Sequence, residues 1–166
     1  MAELFRRATI NELDEVNNIL IKIKKHMNET NLNQWDEIYP TESILENDIK
    51  NNELYVLLQN NIIVSFIVLN ENQEELYKVG KWQYTSDKIA VIHRLCVNPE
   101  VQNKGLGRKI LALSEEFLKS SGYMSIRLDA FTKNSHALNL YTKSGYTKTG
   151  IVTFRKGDFY LFEKLL

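Results

Sequence analysis

At 166 residues, with 43% apolar and 25% charged side chains, the chain has the make-up of an ordinary globular protein and the length to bury a core, which excludes a disordered or fibrous class. Lys plus Arg and Asp plus Glu balance at 21 each, so no overall positive field points to nucleic acid or an anionic membrane, and any anion site has to be local. Ile62–Leu69 is too short to span a bilayer, Cys96 has no second cysteine to pair with, and Met-Ala-Glu-Leu-Phe-Arg-Arg carries no apolar signal segment, so the expected compartment is a reducing cytoplasm.

A short strand is expected at Leu4–Ala8, followed by Thr9-Ile-Asn-Glu12, a capping-box pattern. Leu13, Val16, Leu20, Ile23 and Met27 then keep helical spacing to about Asn28, with Lys22, Lys24 and Lys25 on a solvated face. Asn28–Pro40 is polar but carries Trp35 and Tyr39, and reads as a loop able to fold over a ligand. Thr41–Lys50 reads as a second helix capped by Thr41, with Ile44, Leu45 and Ile49 inward. Strand-like runs follow at Leu54–Leu58 and Ile62–Leu69, joined at Asn60-Asn61, which suits a tight hairpin because Asn tolerates positive φ. Residues 70–88 read as a long, partly helical connection carrying Leu76, Tyr77, Trp82 and Tyr84.

Ile89–Val97 is an apolar, β-branched run ended by Asn98-Pro99, the pattern of a buried strand. Leu106, Ile110, Leu113 and Phe117 then place one stripe on a helix running toward Gly122, with Gly105 and Gly107 at its start. A strand is expected at Met124–Ala130, then a helix capped by Asn134 and ended by Gly145, with Tyr141 on its apolar face. Tyr146–Phe154 and Phe159–Leu165 flank Arg155-Lys-Gly157-Asp as an antiparallel hairpin. The strand–helix–strand crossover makes Ile89–Val97 parallel to Met124–Ala130, and the sum is a twisted mixed sheet of about seven strands with helices on both faces.

Unpaired N–H groups and a positive dipole end make a glycine-led helix start an anion cradle, and three readings compete for it. A P-loop needs Lys-Ser/Thr after its last glycine, whereas Arg108-Lys109 follows Gly107 here and no hydroxyl is available. A dinucleotide fingerprint would put glycine at Ile110 and would begin directly after the strand, although Asp129 does stand where a ribose-binding acid belongs. The third reading starts from Gln102-Asn-Lys-Gly105-Leu-Gly107, with a strand before and an amphipathic helix after.

Here the chain resembles the GNAT superfamily of N-acetyltransferases, whose acetyl-CoA pyrophosphate motif is Gln/Arg-x-x-Gly-x-Gly/Ala. His93-Arg-Leu-Cys-Val-Asn-Pro ahead of the motif, Asn134 opening the later helix and Tyr141-x-x-x-Gly145-Tyr146 closing it fall where that family has them. The matches span 89–146, and the order of elements from residue 4 to 166 agrees with the family fold. Ser65 departs from the pattern, standing where the family's hairpin strand commonly has glycine.

The resemblance implies an α/β (mixed α+β) fold over a single N-acetyltransferase domain, 1–166, with acetyl-CoA as cosubstrate and no metal. It implies direct transfer of acetyl to a primary amine, without an acyl-enzyme. Backbone at Leu95, Cys96 and Val97 would hold the pantetheine, and the Leu95 N–H would polarise the thioester carbonyl. Gln102, Asn103, Lys104, Gly105, Leu106, Gly107 and Arg108 would receive the pyrophosphate, with Asn134 and Tyr141 completing the cofactor-binding set, and Tyr141 would protonate the departing thiolate.

Read without the resemblance, Tyr141 is a core residue with a satisfied hydroxyl, and the Cys96 side chain is a small buried hydrophobe rather than a nucleophile. His93 shares an alternating face with Val91, Leu95 and Val97 and is the candidate base, against a carboxylate or water nearby. Lys104 and Arg108 meet phosphates or simply solvate the helix start. The expected acceptor is a small-molecule or peptide amine. Trp35, Tyr39, Trp82, Tyr84 and Phe154 in the variable segments suggest an apolar or flat one. No nucleic acid or membrane partner is expected, and a homodimer is compatible with the reading. The competing class is a non-catalytic acetyl-CoA-binding sensor or scaffold, which the presence of Tyr141 argues against.

Overall fold

The computed structural model describes residues 2–101 and 104–166, and begins with β1 (Glu3–Arg7). Thr9 stops that strand: its N–H donates to Glu12 Oε1 at 2.8 Å while the Glu12 N–H donates to Thr9 O at 2.9 Å. The expected capping pattern therefore opens a 3-10 turn, Ile10–Glu12, which runs directly into α1 (Leu13–Glu29). Val16, Ile19, Leu20, Ile23 and Met27 form its buried stripe. Lys22 and Lys25 are solvated as expected, but Lys24 is half-buried and donates to the Pro40 carbonyl, because the following loop folds back along the helix.

That loop is used for packing. Leu32 and Trp35 lie against the core formed by α1 and its neighbours, and Asp36 Oδ1 accepts the N–H groups of Ile38 and Tyr39 at 3.0 and 3.1 Å. α2 (Glu42–Lys50) begins at Thr41, whose hydroxyl accepts the Ile44 N–H at 3.3 Å, and it buries Leu45 and Ile49. β2 (Leu54–Gln59) and β3 (Ile62–Asn70) then pair antiparallel, and β1 pairs antiparallel with β2. Asn60 and Asn61 both take positive φ, 51° and 66°, the geometry of a two-residue hairpin turn.

β4 (Ile89–Val97) coincides with the expected strand, α3 (Leu106–Ser120) with the glycine-led helix, and β5 (Ser125–Phe131) runs parallel to β4. α4 (Ser135–Lys143) is capped at one end by Asn134, whose side chain accepts the Ala137 N–H at 3.1 Å. At the other end Gly145 has φ 91°, with Tyr146 N–H on Tyr141 O and Gly145 N–H on Thr142 O. β6 (Thr147–Phe154) and β7 (Gly157–Leu165) close the chain as the expected antiparallel hairpin, with a turn tightened to Arg155-Lys156.

The strand order in the seven-stranded sheet is β1-β2-β3-β4-β5-β7-β6, so β7 rather than β6 is the neighbour of β5. The chain divides into two compact units, Met1–Leu69 with His93–Leu113 and Asn70–Ile92 with Ser114–Leu166, and the divisions fall before the last residue of β3 and inside β4 and α3. No described helix is long and apolar enough to cross a membrane.

Candidate active site

In the first unit the distal half of β4 carries a kink. The ladder with β5 is registered at Ile89, Ala90 and Val91, and Arg94 then takes φ 48°, a left-handed value seldom adopted by a side chain of this kind. Its guanidinium is held from two sides. Nε and one terminal nitrogen donate to the two oxygens of Asp48, each at 2.8 Å, and the other terminal nitrogen donates to Tyr39 Oη at 2.8 Å. The pair is buried, with 11% of the Arg94 side chain and 5% of the Asp48 side chain exposed. Burial pushes the Asp48 carboxyl above its usual range, against the opposing pull of Arg94.

Two further bonds fix β4 beyond the kink. Ser65 is fully buried, and its hydroxyl donates to the Cys96 carbonyl at 2.8 Å, while the Asn98 N–H donates to Val64 O at 2.9 Å. Ser65, the departure from the family pattern, thus acts as a strand clamp. Cys96 is buried and belongs to the α1 core, and burial drives its thiol far from ionisation, which agrees with a packing role for the side chain. The face shared by His93, Leu95 and Val97 presumed an unbroken strand. Arg94, at φ 48°, lies between His93 and Leu95 inside β4.

The glycines stand at the helix start as expected. Gly105 has φ 73°, with open space where a Cβ would be, and its carbonyl accepts the Lys109 N–H at 3.0 Å, the first bond of α3. Leu106 is buried; Gly107 is the second residue of the helix; Lys104 and Arg108 are exposed beside them. This backbone, stripped of side chains at its first turn, fits an approaching phosphate. Gln102 and Asn103 lie outside the described residues.

In the second unit Tyr141 is buried on α4, edge-on to Tyr146 at 5.7 Å and tilted against Phe162 at 6.0 Å. Burial, and then the charge of Asp129, push its phenol well above the usual tyrosine range, so it holds its proton at neutral pH. Asp129, near the end of β5, accepts the Tyr77 hydroxyl at 2.6 Å. Its own carboxyl is pushed up to about 6 by burial, with Tyr77 pulling it down and Glu74 adding to the rise. Burial thus keeps the Tyr141 phenol protonated and raises the Asp129 carboxyl to about 6.

Most of the expected acceptor aromatics are committed to packing. The Trp82 indole donates to Tyr77 O at 2.8 Å and lies 4.1 Å from the Arg127 guanidinium; Phe154 packs on Phe159 at 5.2 Å; Trp35 packs on the core; and Tyr39 Oη serves Arg94. The argument for a flat, apolar acceptor loses its support. Sequence reasoning missed Arg94, Asp48 and Tyr77, and noticed Asp129 only as a ribose ligand. The available signal was Asp129, an acid between Leu128 and Ala130 in an expected strand. Among the described residues no group of three or more His, Cys, Asp or Glu side chains is placed to hold a metal ion.

A kinked strand, a glycine-led helix start and an Asn-capped helix bearing a buried tyrosine define the acetyltransferase class of mixed α/β folds. The model of the acetyltransferase (GNAT) family matches residues 20–146, and the chain belongs to that family. A streptothricin acetyltransferase from Escherichia coli is 32% identical over 78 residues, a match that spans 46% of this chain and 45% of that protein. A GNAT-family acetyltransferase from Streptococcus agalactiae shares the fold with a TM-score of 0.88 at 22% identity, over 99% of this chain and 95% of that one. The PaiA N-acetyltransferase of Thermoplasma acidophilum, solved in complex with coenzyme A, has a TM-score of 0.75 at 19% identity over 100% of both chains.

Proposed function

We propose that residues 1–166 act as one acetyl-CoA-dependent N-acetyltransferase domain, moving acetyl directly onto a primary amine. The observation that carries this reading is the buried Tyr141 on the Asn134-capped α4, its phenol kept protonated by burial, in a chain that the acetyltransferase (GNAT) family model matches over residues 20–146. Burial raises both groups, which leaves the Tyr141 phenol protonated and the Asp129 carboxyl, at about 6, ionised above that pH, an acid and a base.

Acetyl-CoA would supply the acetyl thioester. The backbone from Gly105 to Arg108, with Gln102, Asn103 and Lys104 before it, would hold the pyrophosphate by N–H groups and local positive charge; Asn134 adds a polar contact while capping α4. Leu95, Cys96 and Val97 would offer backbone groups to the pantetheine. The Leu95 N–H would donate to the thioester oxygen and stabilise negative charge as it develops. The acceptor reacts as the neutral amine: its nitrogen bonds to the carbonyl carbon, and Asp129 takes the one proton that the nitrogen sheds. Tyr141 gives its hydroxyl proton to sulfur as the carbon–sulfur bond breaks, and the proton held by Asp129 then passes through solvent to the phenolate, which resets both groups. This reading takes Asp129 as the base rather than His93, because Asp129 is a carboxylate near the end of β5, held by the Tyr77 hydroxyl at 2.6 Å in the same unit as Tyr141.

An acceptor screen tests the reading, with thiol release measured from acetyl-CoA. Streptothricin, named for the E. coli relative, heads the panel, followed by aminoglycosides, polyamines and peptide N-termini. Thiol release with at least one amine is expected. Tight acetyl-CoA binding without turnover on any of them would make the domain a sensor or scaffold, and absence of binding would sink the proposal.

A further inference from the structure

We propose that Arg94 is a positioning residue: the grip of Asp48 and Tyr39 on its guanidinium keeps its backbone left-handed and so sets the direction of the next amide, Leu95 N–H. The inference rests on the reading of that N–H as the donor to the thioester carbonyl.

The backbone at Arg94 has φ 48°, in a region where an L side chain crowds its own carbonyl, so an unrestrained arginine in a strand relaxes to an extended conformation. Something has to hold it. The guanidinium meets both Asp48 oxygens at 2.8 Å in a forked pair and Tyr39 Oη at 2.8 Å, three bonds from a planar group whose geometry matches them. Asp48 comes from near the end of α2 and Tyr39 from the loop before it, so the grip spans two segments of the same unit.

The far side of the kink is fixed as well. Ser65 holds the Cys96 carbonyl and Val64 O holds the Asn98 N–H, which prevents the strand from taking up a rotation at Arg94 by sliding. A change of Arg94 from left-handed to extended therefore has to be absorbed in the peptide plane between Arg94 and Leu95. That plane carries the Leu95 N–H. A buried ion pair of this kind is weak evidence for stability, since apolar replacements often serve as well. A role in aiming a backbone donor accounts for its forked form and for the left-handed residue it restrains.

The test uses acetyl-CoA labelled with carbon-13 at the thioester carbonyl and isotope-edited infrared difference spectra, which need no acceptor. In the wild-type protein the bound carbonyl band is expected below its frequency in free acetyl-CoA, because an aimed N–H polarises the bond. In Asp48→Asn the band should return most of the way to the free frequency while Kd for acetyl-CoA changes by less than about threefold. Adding Arg94→Gly to Asp48→Asn should displace the band again, since glycine enters the left-handed region without a Cβ penalty. Tyr39→Phe, which removes one bond and spares the ion pair, should give a smaller return and serves if Asp48→Asn does not fold. A band that stays displaced in both Asp48→Asn and Tyr39→Phe, or that glycine does not restore in a protein that still binds acetyl-CoA, overturns the positioning role. Wild-type protein that binds acetyl-CoA with an undisplaced band, or does not bind it, instead overturns the assignment of Leu95 on which the inference rests.

Discussion

The hydroxyl of Tyr77 donates to Asp129 Oδ2 at 2.6 Å, joining a side chain of the 70–88 segment to the end of β5. Burial and the nearby Glu74 favour the neutral carboxyl while the Tyr77 bond favours the charged one, and the balance places Asp129 at about 6 against an ordinary 3.8. A base must be ionised to act, so turnover per unit of substrate should rise with pH through about 6, ahead of a second rise through pH 7–9 as the acceptor amine loses its proton. Asp129→Asn should remove the first limb and lower the rate by about 10²-fold or more. His93→Gln should leave both limbs in place. A first limb lost in His93→Gln and kept in Asp129→Asn would exchange the two assignments.

Stability should move the other way. The unfolded chain releases the Asp129 proton at lower pH than the folded one, so between about pH 4 and 6 the folded state binds more protons and stability falls as pH rises. Asp129→Asn should flatten that slope in urea midpoints measured across the same range, leaving the variant no less stable than wild type at pH 7. A steep loss of stability at pH 7 would mean that the carboxylate holds the fold together rather than being held by it.

Tyr141→Phe keeps the ring that packs on Tyr146 and Phe162, so melting temperature and acetyl-CoA affinity should change little. Turnover should fall by about 10²-fold, the loss expected of a general acid. Wild-type turnover in single-turnover experiments, where chemistry limits the rate, would move the acid elsewhere.

Much of the fold was legible because its signals are local. Asn60-Asn61 specifies its hairpin by tolerating positive φ at both positions, Thr9-Ile-Asn-Glu12 declares a helix start through the Glu12 carboxylate on the Thr9 N–H, Asn134 declares another through its side-chain oxygen, and Gly145 declares an end. The insertion of β7 between β5 and β6 left no such mark, since the choice of strand partner belongs to the tertiary structure. Arg94 was opaque for a related reason. Arginine has no preference for left-handed backbone, and only Asp48, which in sequence looks like a polar residue on an amphipathic helix, makes the conformation tenable. Lys24 and Trp35 were misjudged because a loop that folds back on its own unit converts apparent surface residues into packing ones.

Gly107 lies in the first turn of α3, where a phosphate needs open backbone. Gly107→Val should fold, because valine is tolerated in a helix, but its β-branched side chain occupies the approach. Acetyl-CoA affinity by calorimetry should fall at least about tenfold, or roughly 1.4 kcal/mol. Unchanged affinity would remove the pyrophosphate from this turn.

Glu163, 2% exposed on β7, accepts the Gln83 N–H at 2.6 and 3.1 Å and the Tyr84 N–H at 3.3 Å. Across the sheet register it faces Arg127, which donates to Gln73 Oε1 at 2.8 Å and Tyr84 O at 3.0 Å while stacking on Trp82. One acid and one base thus fasten the segment from Gln73 to Tyr84 onto β5 and β7. Glu163→Gln preserves shape but exchanges one acceptor for an NH₂ that points a donor at a donor, and it leaves the buried Arg127 cation without its opposing charge. The expected cost is about 1–3 kcal/mol. Melting temperature should fall, amide exchange at Gln83 and Tyr84 should quicken by about tenfold or more, and acetyl-CoA affinity should stay within about twofold. Exchange that quickens equally at Asn60 and Asn61, on the hairpin of the other unit, would show general loosening, and the strap would not be an independent element.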